Sequence, residues 1–249
     1  MTVLVLGAGG MLGEAVVTAL QERGEAVYGA MHRECDVTDA DAVRRWLTGH
    51  RPTVIVNCAG VLSGAPTDSI EVNATGPRIV ASEAAKIGAR VIHVSTDCVF
   101  SGVQTDLLYS YTAPDPKDIY GITKYLGEAR AQHVLNVRTS FIGARHGLLP
   151  WYRGESHPVH GFARWYWSGQ TVAVVAQHLA EHVHTTENGT VHLATREPTT
   201  KLEILRLMQQ ATGGVSVVPA WQQYRNHALM PSLGWIMRPV TLEDIERAI

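Results

Sequence analysis

The 249-residue chain has only three cysteines, Cys35, Cys58 and Cys98, and no two stand close enough to form a CxxC pair. An odd number at wide spacing offers neither a disulfide framework nor a thiolate metal knuckle, and it fits free thiols in a reducing cytoplasm. Charge of one sign is equally lacking: 21 Lys and Arg against 23 Asp and Glu leave a formal net charge of −2. With no basic stripe to track a phosphate backbone, nucleic acid is not an expected partner. No apolar run approaches the ~20 residues that span a membrane. The apolar N-terminus has no basic leader and is interrupted by glycine from Gly7 onward, which argues against a secretory signal and for a cytoplasmic chain. What is present is an ordinary globular composition, 45% hydrophobic and 18% charged, long enough for one large core or one core with a small second lobe.

Short apolar runs alternate with helical patterns through the first half. Val3–Leu6, Glu25–Ala30, Thr53–Asn57, Arg90–Ser95 and Leu135–Arg138 read as strands. Met11–Arg23, Asp39–Gly49, Glu71–Lys86 (bent at Pro77) and Ile119–His133 read as the helices between them. This rhythm predicts an α/β protein with a Rossmann-type, doubly wound parallel sheet. It fails after about Gly143, where Gly, Pro, Trp and His crowd the chain. The expected organisation is a dinucleotide-binding domain over 1–145 and a smaller substrate-binding lobe over 146–249, with part of 171–195 packing back on the first domain.

The first strand runs into Gly7-Ala8-Gly9-Gly10-Met11-Leu12-Gly13, which opens a helix. Strand, glycine loop and helix in that order make a dinucleotide site. Gly7 permits the tight turn, Gly9 and Gly10 admit a pyrophosphate to the backbone, and Gly13 lets helix and strand pack closely. The helix N-terminus supplies free N–H groups at Met11 and Leu12 and a positive dipole end. An NAD-type ribose calls for an acid at the end of the second strand. The chain has His32 and Arg33 there, which suit a 2′-phosphate and favour NADP over NAD. Asp36 and Val37 follow as flanks for the adenine. Cys58, Ala59 and Gly60, after the third strand, fall on the same carboxyl edge.

Tyr120 and Lys124 form a YxxxK pair, and on a helix i and i+4 share a face. A neighbouring ammonium is expected to lower the tyrosine pKa and make the phenol a usable proton donor or base. Ser95, Thr96 and Asp97 follow the fourth strand at the edge where ligands bind in open α/β sheets.

GAGGMLG (7–13), NCAG (57–60), VNATGP (72–77), STDCVFSG (95–102), YGITKYLGE (120–128) and VRTSFIG (137–143) together resemble the extended short-chain dehydrogenase/reductases. More closely they are similar to the dTDP-4-dehydrorhamnose reductase group of sugar-nucleotide reductases. The resemblance implies NADPH-dependent reduction of a nucleotide-linked 4-keto-6-deoxy sugar. It implies that Thr96 holds the substrate carbonyl, Tyr120 donates the proton, and Lys124 holds the nicotinamide ribose, with Ser95 beside the cofactor. It places Asp97, Cys98, Val99 and Phe100 by the sugar nucleotide, although the group's pattern has tyrosine where this chain has Cys98. VHGFARWYWSGQT (159–171) resembles the segment that closes over the substrate, offering Arg164, Trp165 and Trp167 as contacts. An epimerase or dehydratase that retains NAD, and a catalytically silent regulatory or nucleotide-sensing subunit, stay open as alternatives; a homodimer is left open too. His178, His182 and His184 mimic metal spacing, but with no fixed carboxylate or cysteine set beside them no metal is expected.

Overall fold

The computed structural model describes residues 1–62 and 65–249. The first half runs β1 (Thr2–Leu6), α1 (Met11–Glu22), β2 (Ala26–Ala30), α2 (Ala40–His50), β3 (Val54–Asn57), α3 (Pro66–Ile70), α4 (Gly76–Lys86), β4 (Arg90–Thr96), α5 (Ile119–Gly127) and β5 (Val134–Thr139). The second runs β6 (Phe141–Ile142), α6 (Leu148–Gly154), β7 (Val159–Phe162), β8 (Trp165–Trp167), β9 (Gln170–Thr171), α7 (Val172–Glu181) and β10 (Gly189–His192). It ends with β11 (Ala194–Thr195), β12 (Thr199–Thr200), α8 (Lys201–Thr212), β13 (Val217–Ala220), β14 (Arg225–His227), β15 (Ile236–Met237) and α9 (Leu242–Arg247).

Six strands make one parallel sheet in the order β10-β5-β4-β3-β1-β2. Parallel strands covered on both faces read as unbroken apolar runs, and successive side chains go to opposite faces. Val3 and Val5 pack under α1 and α7, with Val16, Leu20, Val175 and Leu179. Leu4 and Leu6 pack under α2 and α4, with Val43, Leu47, Val80 and Ala84. A separate cluster of Leu149, Tyr152, Val159, Ile204, Leu205, Met208 and Ile245 unites α6, α8 and α9. β10, from late in the chain, closes the free edge of β5. β2 and β3 leave β1 on opposite sides, so the crevice beyond their carboxyl ends is the topological switch point where ligands bind in such sheets.

Two helices depart from the sequence reading. The third begins at Pro66, and Glu71–Thr75 is a π-turn ahead of α4. Pro77 has no N–H to return to the Asn73 carbonyl one turn back, and wider turns are a regular outcome of such interruptions. That carbonyl lies against Gly127, where any Cβ would collide with it. The helix expected over 119–133 stops at Gly127. Glu128 leaves it for an ion pair with Arg138, both side chains almost wholly buried, and this tertiary contact overrides helix propensity.

Candidate active site

A cavity of about 700 Å³ opens at the switch point. Its walls are Gly7, Gly9 and Gly10 after β1, the segment from Met31 to Thr38 after β2, and Cys58 to Val61 after β3. Gly7 has φ +74°, and a Cβ there would stand 2.7 Å from the Ala59 amide nitrogen. Only glycine fits both the conformation and the approach of the two loops. A Cβ at Gly13 would collide with the Gly7 carbonyl, so Gly13 sets the packing of α1 on its loop and stays out of the cavity wall. α1 has Gly10 at its N-cap and, among the described residues, no side-chain cap, which leaves its first N–H groups for an anion. Met11 and Leu12 can offer only those backbone groups. The Leu12 side chain is in the core, and the Met11 thioether fills the space beside Gly143.

His32 and Arg33 are exposed at the cavity rim. His32 Nδ1 lies 3.9 Å from Asp36 Oδ1. Asp36 accepts from the Thr38 amide at 2.9 Å and its hydroxyl at 2.8 Å. Val37 is buried yet lines the cavity and packs tightly on Gly76. Asn73, fully buried, was not singled out in the sequence. Its Oδ1 accepts from Val61 N, and its Nδ2 donates to Val61 O and to Thr123 of α5. It thereby ties the loop after β3 to the helix of the YxxxK pair; its place in VNATGP was the available signal.

Lys124 stands behind Gly60 of the cavity wall: a Cβ on Gly60 would lie 3.7 Å from its Nζ. Lys124 is buried and donates to the Val94 carbonyl at 2.7 Å. Burial pulls its pKa down to about 8, against the opposing pull of Cys58 and Glu128. Thr96 ends β4, accepts from the Cys98 amide at 3.1 Å and donates to Asp97 Oδ1 at 3.1 Å. A Cβ at Gly121 would collide with the Cys98 carbonyl, so its absence lets α5 bring Tyr120 down onto this turn. The expected lowering of the Tyr120 pKa by Lys124 is not found. Burial pushes the phenol up, Cys98, Asp97 and Asp118 add to it, and only the Thr96 hydroxyl opposes. The ammonium is spent on Val94 instead.

The remaining sequence candidates divide. The Ser95 hydroxyl, buried, donates to Glu128 Oε1 at 2.7 Å, so it belongs to the Glu128–Arg138 network and does not face the cavity. Val99 and Phe100 pack in the core with Leu108, Ala194 and Leu229, because the tight turn Asp97–Val99 rotates them inward. Cys98 is half-buried, its Sγ 3.6 Å from Asp97 Oδ1, and burial first and Asp97 second push its thiol up. Asp97 is buried, which raises its pKa, and His227 of β14 is the main opposing influence. His227 was invisible in the sequence, being 130 positions away in a segment without periodicity. Trp167 donates to Ser140 Oγ at 2.8 Å, and Ser140 also faces Asp97. Arg164 is exposed and lies over the Tyr224 ring at 5.6 Å. Tyr224 in turn lines a second cavity of about 210 Å³ with Tyr166.

Residues 1–148 match the RmlD substrate binding domain. The chain belongs to that family. A probable low-salt glycan biosynthesis reductase of Haloferax volcanii, Agl14, is 30% identical over 86% of this chain and 81% of its own. A dTDP-4-keto-6-deoxy-D-glucose reductase of Streptomyces niveus is 35% identical over 58% of this chain and 54% of its own. A dTDP-4-dehydrorhamnose reductase of Streptomyces griseus is 37% identical over 53% and 45%. The chain thus spans about half the length of these two Streptomyces relatives. Among solved structures, a dTDP-4-dehydrorhamnose reductase of Clostridium acetobutylicum superposes with TM-score 0.88 at 22% identity, covering 100% of this chain and 98% of the other. One from Bacillus anthracis, in complex with NADP, gives 0.85 at 23% over 99% and 96%. A Thermus thermophilus UDP-glucose 4-epimerase with NAD gives 0.81 at 22% over 100% and 97%. Family members and epimerases therefore share this fold, and the fold alone does not choose between their reactions.

Proposed function

We propose that the protein reduces the 4-keto group of a nucleotide-linked 6-deoxy sugar with NADPH. The observation that carries this is the meeting of Thr96 and Tyr120 at the end of β4 while Lys124, one turn along α5, stands behind Gly60 of the glycine-loop cavity. The names of the Streptomyces relatives support the substrate class. The cavity fits a dinucleotide on its own terms: a Cβ-free cradle at Gly7, Gly9 and Gly10, an uncapped helix N-terminus, and Arg33 at the rim.

When bound, the nicotinamide supplies a hydride to the carbonyl carbon. Tyr120 Oη gives its proton to the oxygen as charge develops there, which turns ketone into alcohol, and solvent restores the phenol. Its raised pKa keeps Tyr120 protonated at neutral pH, the form a proton donor needs. Thr96 holds the carbonyl oxygen beside it. Lys124, behind Gly60, would orient the cofactor ribose. Asp97, Cys98 and Trp167, which gather around Ser140 and the end of β4, are the residues proposed to meet the sugar.

The test is to follow NADPH absorbance with a panel of dTDP- and UDP-linked 4-keto sugars. Oxidation with one of them is expected; tight NADPH binding without oxidation by any would overturn the reading. A cytoplasmic homodimer is the finer part of the proposal. Ile119, Ile122 and Leu126, three large apolar residues exposed along α5, support it, and sedimentation equilibrium tests it.

A further inference from the structure

α7 packs on α1 through Val175, Leu179 and Ala180, and its last turn carries His178, Glu181 and His182. The spacing i, i+3, i+4 puts all three on one helix face, and one donor atom from each lies within 4.8 Å of the others. Glu181 is the carboxylate that the sequence reading did not set beside the histidines. His184 does not join them, since its Nε2 is 2.8 Å from Glu25 Oε1.

Two features mark this cluster as more than adjacency. His178 Nδ1 is buried and has no hydrogen-bond partner among the described residues. It stands 3.7 Å from Glu181 Oε2, too far for a hydrogen bond. Two ligands each ~2.0–2.1 Å from a tetrahedral zinc ion stand roughly 3.3 Å apart, so a small side-chain movement closes the gap around an ion. His182 is already oriented. Its Nδ1 lies 2.9 Å from the His178 carbonyl oxygen, which can only accept, so Nδ1 carries the proton and Nε2 keeps its lone pair. The ring is held from the other side by stacking on Trp235 at 4.4 Å.

We propose that His178, Glu181 and His182 form a site for a divalent transition ion, Zn²⁺ by the chemistry of its donors, at the C-terminal end of α7. Two imidazoles and a carboxylate suit a borderline ion, whereas Mg²⁺ and Ca²⁺ require a fuller shell of oxygens. Three protein ligands leave a fourth position for water. The site lies on the α1–α7 side of the sheet, outside the dinucleotide cavity, and braces the helix that packs on α1. It is independent of the reductase reading.

The experiment is calorimetric titration of the chelator-treated full chain with ZnCl₂ alone, paired with melting curves. One equivalent is expected per chain. With zinc at about 100 times its Kd, Tm is expected to rise by about 5–10 °C. Glu181→Gln, at an exposed position that leaves the fold intact, is expected to weaken binding about tenfold or more; His178→Asn and His182→Asn are expected to abolish it. Variants that bind like the parent would place the zinc elsewhere, on the ten other histidines or the three cysteines. That result, or no heat and no Tm change for the parent, overturns the proposal.

Discussion

Tyr120 and Lys124 share one face of α5, yet different neighbours govern their ionisation. The phenol is raised by burial and by Cys98; the ammonium is lowered by burial to about 8. At neutral pH both therefore carry the proton that reduction requires, and the Lys124 charge is lost as pH rises through about 8. kcat/KM for reduction is expected to fall above that pH, reporting the free enzyme. Lys124→Met should give a low rate without that alkaline limb, and a profile unchanged by the substitution would show that another group sets it. Tyr120→Phe removes one oxygen and little volume. Loss of the proton donor is expected to lower kcat by roughly 10²–10⁴, with NADPH affinity, measured by fluorescence titration, the same as the parent's.

Elements set where those two side chains point. α5 can approach the turn after Thr96 because Gly121 has no Cβ to strike the Cys98 carbonyl. Gly121→Ala must push the helix outward, and a displacement of even 1 Å at a reacting group costs about 10²-fold in rate. Steady-state kinetics should show kcat falling by that order, with a far smaller change in NADPH affinity. α5 ends where Glu128 turns to meet Arg138, at 2.8 and 2.7 Å. Glu128→Gln leaves Arg138 buried without a counter-charge, and breaking such a pair costs about 3–5 kcal/mol, readable in urea denaturation. These elements also mark how far the chain could be read unaided. Val3–Leu6, Val54–Asn57 and Leu135–Arg138 were legible because strands buried on both faces leave no polar alternation to confuse. The glycine loop was legible because its chemistry is local. The end of α5 was not, since it depends on the Glu128–Arg138 pair; at Glu71–Thr75 a bend was legible from Pro77, but not its form as a π-turn or its fit against Gly127. The inward packing of Val99 and Phe100 was not legible for a related reason. An apolar run after a strand does not say which way a short turn will face it, and here it faces Leu108 and Leu229.

At the scale of the whole molecule, the sheet order places three loop ends around one crevice, and a dinucleotide bound there bridges β1, β2 and β3. Such a ligand binds the folded chain and not the unfolded one, so it stabilises by about 2.7 kcal/mol at 100 times its Kd. For a chain of this length that is a rise in Tm of about 5–10 °C. The same linkage separates the two cofactors. Arg33 is exposed at the rim with His32, where a 2′-phosphate but not a 2′-hydroxyl gains a charge-assisted hydrogen bond. Asp36, in the same wall, accepts from Thr38, and the Arg33 charge offsets its repulsion of that phosphate. Arg33→Ala should therefore cost NADPH affinity about tenfold, near 1.4 kcal/mol for one hydrogen bond to a charged group, and leave NADH affinity unchanged. Melting curves with each cofactor at matched concentrations read both numbers from one sample. Equal losses for NADPH and NADH would mean that Arg33 serves the loop and not the phosphate.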